Sequence, residues 1–324
     1  MNHSKVKEHI LVAVVASVLL VSASGLTIGH LISPVDATKP GNNDNSLTLP
    51  QNTVAGPAGG GSSAGDIGNS IGSDSGSGSG SDSGSGGASD FSALDMQGAA
   101  TAAAASSNAA CGQVVSGLVN LTANLNCSGD GLIIGGPNTV INMNGFSITG
   151  PGQESSKVGI MVPNVDNVVL NGPGSISNFQ AGVLLTGANG FKINSVILSN
   201  NQIGTFMTGA ENSEVRQNII QGNSIGVASH SSSGAAIDSN LMNGNLLAGV
   251  TFVNTRQSAI DMNNIIGSQN GVFLDGQSSQ ITISANNVLE NVIDLNNANG
   301  LPTNINANQY ADNNCQTSNP SGLC

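Results

Sequence analysis

From Gly159 to Asn291 a small residue followed by a short apolar run returns about every 22 residues. The phrases are Gly159-Ile160-Met161-Val162, Gly182-Val183-Leu184-Leu185, Gly204-Thr205-Phe206-Met207, Gly226-Val227-Ala228-Ser229, Gly249-Val250-Thr251-Phe252, Gly271-Val272-Phe273-Leu274 and Asn291-Val292-Ile293-Asp294. Each is the size of a strand, and the residues between them are rich in Asn, Gly and Ser. Repeats of that length cannot bury an apolar face alone and must stack, so the period predicts a solenoid.

A second strand follows each phrase. Its rows read Phe191-Lys192-Ile193-Asn194, Val215-Arg216-Gln217-Asn218, Ile237-Asp238-Ser239-Asn240, Ile260-Asp261-Met262-Asn263 and Ile283-Ser284-Ala285-Asn286. The first column is apolar, the second polar and the third mixed, the alternation of a strand with one buried face. Asparagine closes every row, so Asn194, Asn218, Asn240, Asn263 and Asn286 are expected to stack, each amide bonding the next along the solenoid.

Composition divides the 324 residues into unlike parts. Residues 1–38 carry Lys5 and Lys7 ahead of the uncharged stretch from Ile10 to Ile28, which reads as a signal peptide or a single N-terminal membrane anchor with the rest of the chain outside. Residues 39–89 include a nearly alternating Gly/Ser run and read as a disordered tether. Residues 90–110 are Ala-rich and form either a short helical cap or more linker. Residues 111–324 are left as the folded body, placed outside the cell or on its surface.

Charged residues make up 8% of the chain and the net charge is -12, which excludes nucleic acid as a partner. The four cysteines flank the repeats, and in an exported chain they read as two end staples, Cys111–Cys127 and Cys315–Cys324. A metal site is the rival reading, disfavoured by the absence of histidine near either pair. Asn120-Leu121-Thr122 and Asn126-Cys127-Ser128 are glycosylation sequons, the second in competition with a disulfide at Cys127.

The repeat rows, with Cys111-Gly112-Gln113-Val114-Val115, Leu125-Asn126-Cys127 and the run Val140 to Gly150, resemble right-handed parallel β-helices of the NosD-like type, whose backbone is also similar to that of pectate lyases. The resemblance covers residues 111 to about 310 and implies an all-β, right-handed parallel β-helix of about eight coils. It implies little about activity, because lyases, hydrolases, epimerases and adhesins share this scaffold.

In those rows Lys192, Arg216, Asp238, Asp261 and Ser284 form one outward line. A lyase-like reading gives an aspartate the task of holding calcium or neutralising a uronate, and gives Arg216 or Lys192 that of proton acceptor. A glycosidase would pair Asp238 with Asp261. The structural alternative is a ladder of opposite charges on adjacent rungs.

Composition favours the ladder: residues 111–324 hold Lys157, Lys192, Arg216 and Arg256 against eleven acids, and the usual polygalacturonase and alginate-epimerase motifs are absent. His230 is the body's one histidine and lacks the companions a copper site needs, so no cofactor is expected beyond the calcium of the lyase-like reading. A second line, Leu184, Phe206, Ala228, Thr251 and Phe273, lies between inward positions of the first strand. Exposed, it would be an apolar surface for a protein partner or a polysaccharide; otherwise a loop or the Ala-rich segment lies over it. With no Trp and one Tyr, stacking platforms for sugar are scarce. The sequence thus points to an exported structural, adhesive or binding module without catalysis, with a carbohydrate-active enzyme, a polysaccharide lyase, epimerase or glycoside hydrolase, as the alternative.

Overall fold

A computed structural model describes residues 109–324. The expectations for residues 1–108, the signal or anchor, the tether and nearly all of the Ala-rich segment, lie outside that range.

The described chain is a right-handed parallel β-helix of about nine turns, one more than the repeats suggest. Each full coil contributes one strand to each of three sheets. Sheet I has ten strands, from Val114–Val115 to Ser318–Asn319; sheet II has nine, from Leu118–Asn120 to Gln309–Ala311; sheet III has eight, from Leu125–Asn126 to Asn287–Leu289. Neighbouring strands are parallel throughout, and one 3-10 turn, Thr303–Ile305, interrupts the last coils.

The recurring glycine has a steric cause. A Cβ on Gly204 would sit 2.5 Å from the Gly226 carbonyl oxygen, and one on Gly226 would sit 2.5 Å from that of Gly249, so only glycine lets successive coils stack at this bend. Past it the strands of sheet I send Val183, Val227, Val250 and Val272 into the core, where they meet Ile193, Val215, Ile237 and Ile260 of sheet II and Leu198, Ile220, Met242 and Ile265 of sheet III.

The two corners flanking sheet III share one device. Between sheets II and III, Gln217, Ser239, Met262 and Ala285 adopt left-handed backbone, with φ of 54°, 56°, 52° and 53°. A buried asparagine follows each. Asn218 donates from Nδ2 to the Ile193 carbonyl at 3.2 Å and to Asn240 Oδ1 at 3.0 Å, and its own Oδ1 accepts the Val196 N–H at 2.9 Å. One amide therefore ties three coils, and the pattern continues through Asn240, Asn263 and Asn286 to Asn313. Asn201, Asn223 and Asn245 repeat it at the corner between sheets III and I.

Several sequence expectations need correction. The mixed column does not face the core except at Ile193: Gln217, Ser239, Met262 and Ala285 are the left-handed corner residues, and Met262 is 53% exposed. Asn194 is not in the corner spine, because Ile193 pairs with Val215 and Val196 stands where later coils carry asparagine. Lys192 shifts with it, pairing with Glu214 and not with Arg216. The last repeat phrase is Asp294-Leu295-Asn296-Asn297, since Val272 pairs with Leu295, and Asn291 belongs to the turn before it. Both staples are present, Cys111–Cys127 and Cys315–Cys324, each with Cα atoms 5.4 Å apart.

Candidate functional site

The register divides the proposed catalytic line in two. Asn194, Arg216, Asp238, Asp261 and Ser284 share one outward column of sheet II, while Lys192 and Glu214 lie in the neighbouring one. Each charge is met one rung away. Arg216 Nε donates to Asp238 Oδ2 at 2.6 Å, and Lys192 Nζ lies 2.7 Å from Glu214 Oε2. The Ser239 hydroxyl donates to the other oxygen of Asp238, and Ser284 donates to Asp261 at 2.8 Å. Asp238 and Asp261 are direct register partners, so the adjacency of two carboxylates survives.

Two shallow grooves open on the described surface, and neither is lined by any of these residues. One, of about 270 Å³, runs along the turns between sheets I and II and is bordered by Glu211, Ser231, Ser232, Ser233, Asn254 and Arg256. The other, of about 320 Å³, is bordered by Gln257, Gln280, Thr282, Ala307 and Gln309. The sequence reading missed both because their residues lie outside the aligned rows, mostly in turns for the first groove and in strands of sheet II for the second. The isolated bridges Glu211–Ser233 and Ser233–Arg256 show the same 22- to 23-residue step, which was the available signal.

His230 stands level with Thr208 and Val253, as its place in the first strand predicts, and its Nδ1 is buried with no hydrogen-bond partner. Among the described residues no three His, Cys, Asp or Glu side chains come together to hold a metal, and all four cysteines are in disulfides.

Leu184, Phe206, Ala228, Thr251 and Phe273 stack in register and are buried, at 0–6% exposure. The four apolar members belong to a cluster separate from the core, on the opposite side of sheet I. The Thr251 hydroxyl is buried without a partner.

One carboxylate is clearly perturbed, and its role is structural. Burial would raise the Asp294 carboxyl, but the N–H groups of Gln316 and Thr317, with the side chains of Asn291 and Thr317, outweigh it and hold the group below the usual carboxylate range. Asp294 occupies the glycine position of its coil and ties the final Cys315–Cys324 loop to sheet I. Tyr310 is raised by burial, and its hydroxyl accepts from Asn297 at 2.8 Å.

A family model described as NosD, periplasmic copper-binding protein, matches residues 123–322. No curated protein matches the chain by sequence. Among solved structures the chain is similar to the enzymatically active domain of tailspike protein 2 of bacteriophage CBA120, with 13% identity and a TM-score of 0.40 over 63% of this chain and 37% of that one. It is also similar to the A-module of the mannuronan C-5 epimerase AlgE4 of Azotobacter vinelandii, with 12% identity and a TM-score of 0.28 over 63% and 87% of the two chains. The chain thus spans little more than a third of the tailspike domain, and at these values neither likeness bears on its activity.

Proposed function

The chain belongs to the NosD family, and from that premise we propose that it is a cell-envelope β-helix serving as a structural or adhesive module without catalysis. The observation that carries this reading is the pairing of the outward charges. Arg216 answers Asp238, Lys192 answers Glu214, and Ser284 answers Asp261. A residue poised for proton transfer has to face a substrate in a cleft, and these face their own neighbours along an open sheet. Opposite charges on adjacent rungs stabilise a parallel sheet by a few tenths of a kcal/mol and disfavour slipped registers. The family description places its members in the periplasm, in keeping with two disulfides. No helix among the described residues is long and apolar enough to cross a membrane.

The copper in that description does not fit residues 109–324. His230 is the one imidazole there, the cysteines are oxidised, Met143, Met207 and Met242 are packed in the core, and Met161 in sheet I and the exposed Met262 at the corner after sheet II stand on different coils. Copper sites gather several nitrogen or sulfur donors, and among the described residues no three His, Cys, Asp or Glu side chains come together.

The test is the pair Asp238→Ala with Asp261→Ala in the intact chain. The proposal expects unchanged folding and surface attachment, and no turnover of polyuronates or neutral polysaccharides by either form. Turnover by the wild type that the double variant lacks would make the chain a carbohydrate-active enzyme and overturn the reading.

A further inference from the structure

Near its C-terminal end the solenoid breaks its own period, and the added chain stands beside the second groove. The step along the asparagine spine is 23 residues from Asn263 to Asn286 and 27 from Asn286 to Asn313. The extra length falls between the strands Ile293–Asn297 and Gln309–Ala311, in a loop that contains the 3-10 turn Thr303–Ile305. Amides fasten that loop. Asn299 donates to Asn306 Oδ1 at 3.0 Å, Asn306 to the Leu301 carbonyl at 2.8 Å, and Asn308 to the Ser278 carbonyl at 3.1 Å, while Asn308 Oδ1 accepts the Ile281 N–H at 3.0 Å. Ala307, next to Asn308, is thereby held at the border of the 320 Å³ groove, whose other residues, Gln257, Gln280, Thr282 and Gln309, stand on strands of sheet II.

We propose that this groove binds a hexose unit of a neutral polysaccharide. Gln257 and Gln280 stack at left-handed positions that earlier coils give to Gly190, Asn212 and Gly234, and Thr282 pairs in register with Gln309. Stacked outward asparagines elsewhere bond one another, Asn142 to Asn120 at 2.9 Å and Asn287 to Asn264 at 2.8 Å. Among the described residues the side chains of Gln257, Gln280, Thr282 and Gln309 have no hydrogen-bond partner. The groove therefore gathers three free carboxamides and a hydroxyl. A carboxamide offers an acceptor and two donors side by side, the match for vicinal sugar hydroxyls, which each donate and accept. A uronate would call for a cation and an amino sugar for an acid, and neither lines this groove. The net charge of -12 disfavours polyanions further. The volume is at the lower end of small-molecule sites, about 300 Å³, and the fastened loop spares the ligand the cost of ordering it. No aromatic ring lines the groove, so hydrogen bonds alone set an affinity of about 1 mM. Gln221 and Asn243 are also stacked without bonding, but they lie on sheet III and border neither groove, which makes them an internal control.

The experiment titrates the full chain with neutral tetrasaccharides of glucose, mannose and galactose, with a tetragalacturonate and with an uncharged tetrapeptide, and follows the glutamine side-chain amides by NMR. At least one neutral tetrasaccharide should shift the amides of Gln257, Gln280 and Gln309 and leave that of Gln221 in place. Gln280→Ala and Gln309→Ala should each weaken that binding at least about fivefold, whereas Gln221→Ala should not change it. These glutamines are exposed, so the variants should fold, and if one does not, the other decides. Three results would overturn the proposal: no shift at these amides up to about 10 mM sugar, binding that survives both substitutions, or preference for the tetragalacturonate or the tetrapeptide over every neutral sugar. The proposal deepens the adhesive reading and rests on it, yet the two fail separately. Turnover of a sugar bound at these glutamines would sink the non-catalytic reading and keep the groove, while absence of binding would sink the groove and leave a purely structural module.

Discussion

The asparagine spine and the charged column are two residues apart in every coil, share one register, and have opposite characters. Asn218, Asn240, Asn263 and Asn286 are one residue type, buried to within 2% exposure, and each bonds the coils on both sides. Two positions earlier, Arg216, Asp238, Asp261 and Ser284 vary in charge and size, and Arg216 is about half exposed. The corner has to satisfy a backbone carbonyl and a backbone N–H of the neighbouring coil and bond the next amide, all with one short side chain, so a single residue type serves. The outward column has only to avoid like charges on adjacent rungs, so many combinations serve. Asp238 above Asp261 shows that even this is loosely enforced, with Arg216 and Ser284 placed to relieve it.

The contrast can be broken most severely at the bend that sets the stacking distance. Gly204→Val places side-chain atoms against the Gly226 carbonyl and should destabilise the fold by about 3 kcal/mol, read as a lowered midpoint in urea. Asn240→Ala removes the donors to Val215 O and Asn263 Oδ1 and strands the Asn218 N–H, for a loss of about 2–3 kcal/mol by the same measurement. A gain is expected at Ser268, which interrupts the second ladder between Asn245 and Asn291 and buries an unpartnered hydroxyl. Ser268→Asn should add about 1 kcal/mol. Arg216→Ala should change stability by less than about 1 kcal/mol, and the effect should fade in high salt.

Acid sharpens the comparison in another coil. The Asp294 carboxyl is lower in the folded chain than its ordinary value of 3.8, so its contribution is complete above that value and is lost as pH falls through the folded one. The amides of Gln316 and Thr317 should therefore lose exchange protection in acid before those of the asparagine spine, which has no titrating group, and Asp294→Asn should remove that pH dependence.

Most of the architecture was legible because stacking demands repetition. The glycine period, the apolar column and the corner asparagines are each imposed by contact with an identical neighbour. The misplacement of Lys192 and Asn194 has a definite cause. A strand alternates with period two, so sliding its row by two residues keeps every side chain on its proper face and leaves the apolar pattern unchanged. Phe191, whose structural equivalents are Ser213, Ala235, Ser258 and Ile281, passed for the equivalent of Val215, and Asn194 passed for a spine residue whose place Val196 takes. The left-handed corners left no trace in sequence because Gln217, Ser239, Met262 and Ala285 have nothing in common except backbone angle. The first groove escaped for a related reason, since its turn residues are free of the alternation that makes strands readable, whereas the second is bordered mostly by strand residues outside the aligned rows.

The most direct test of the stacked register is the amide exchange of Asn218 in Asn240→Ala. Its N–H donates to Asn240 Oδ1 at 2.9 Å, whereas the Asn263 N–H donates to Asn286, away from the substitution. The register predicts that Asn218 loses at least about tenfold more protection than Asn263, because the solenoid's contacts run only between neighbouring coils. Equal loss at both positions, or unchanged protection at Asn218, would contradict it.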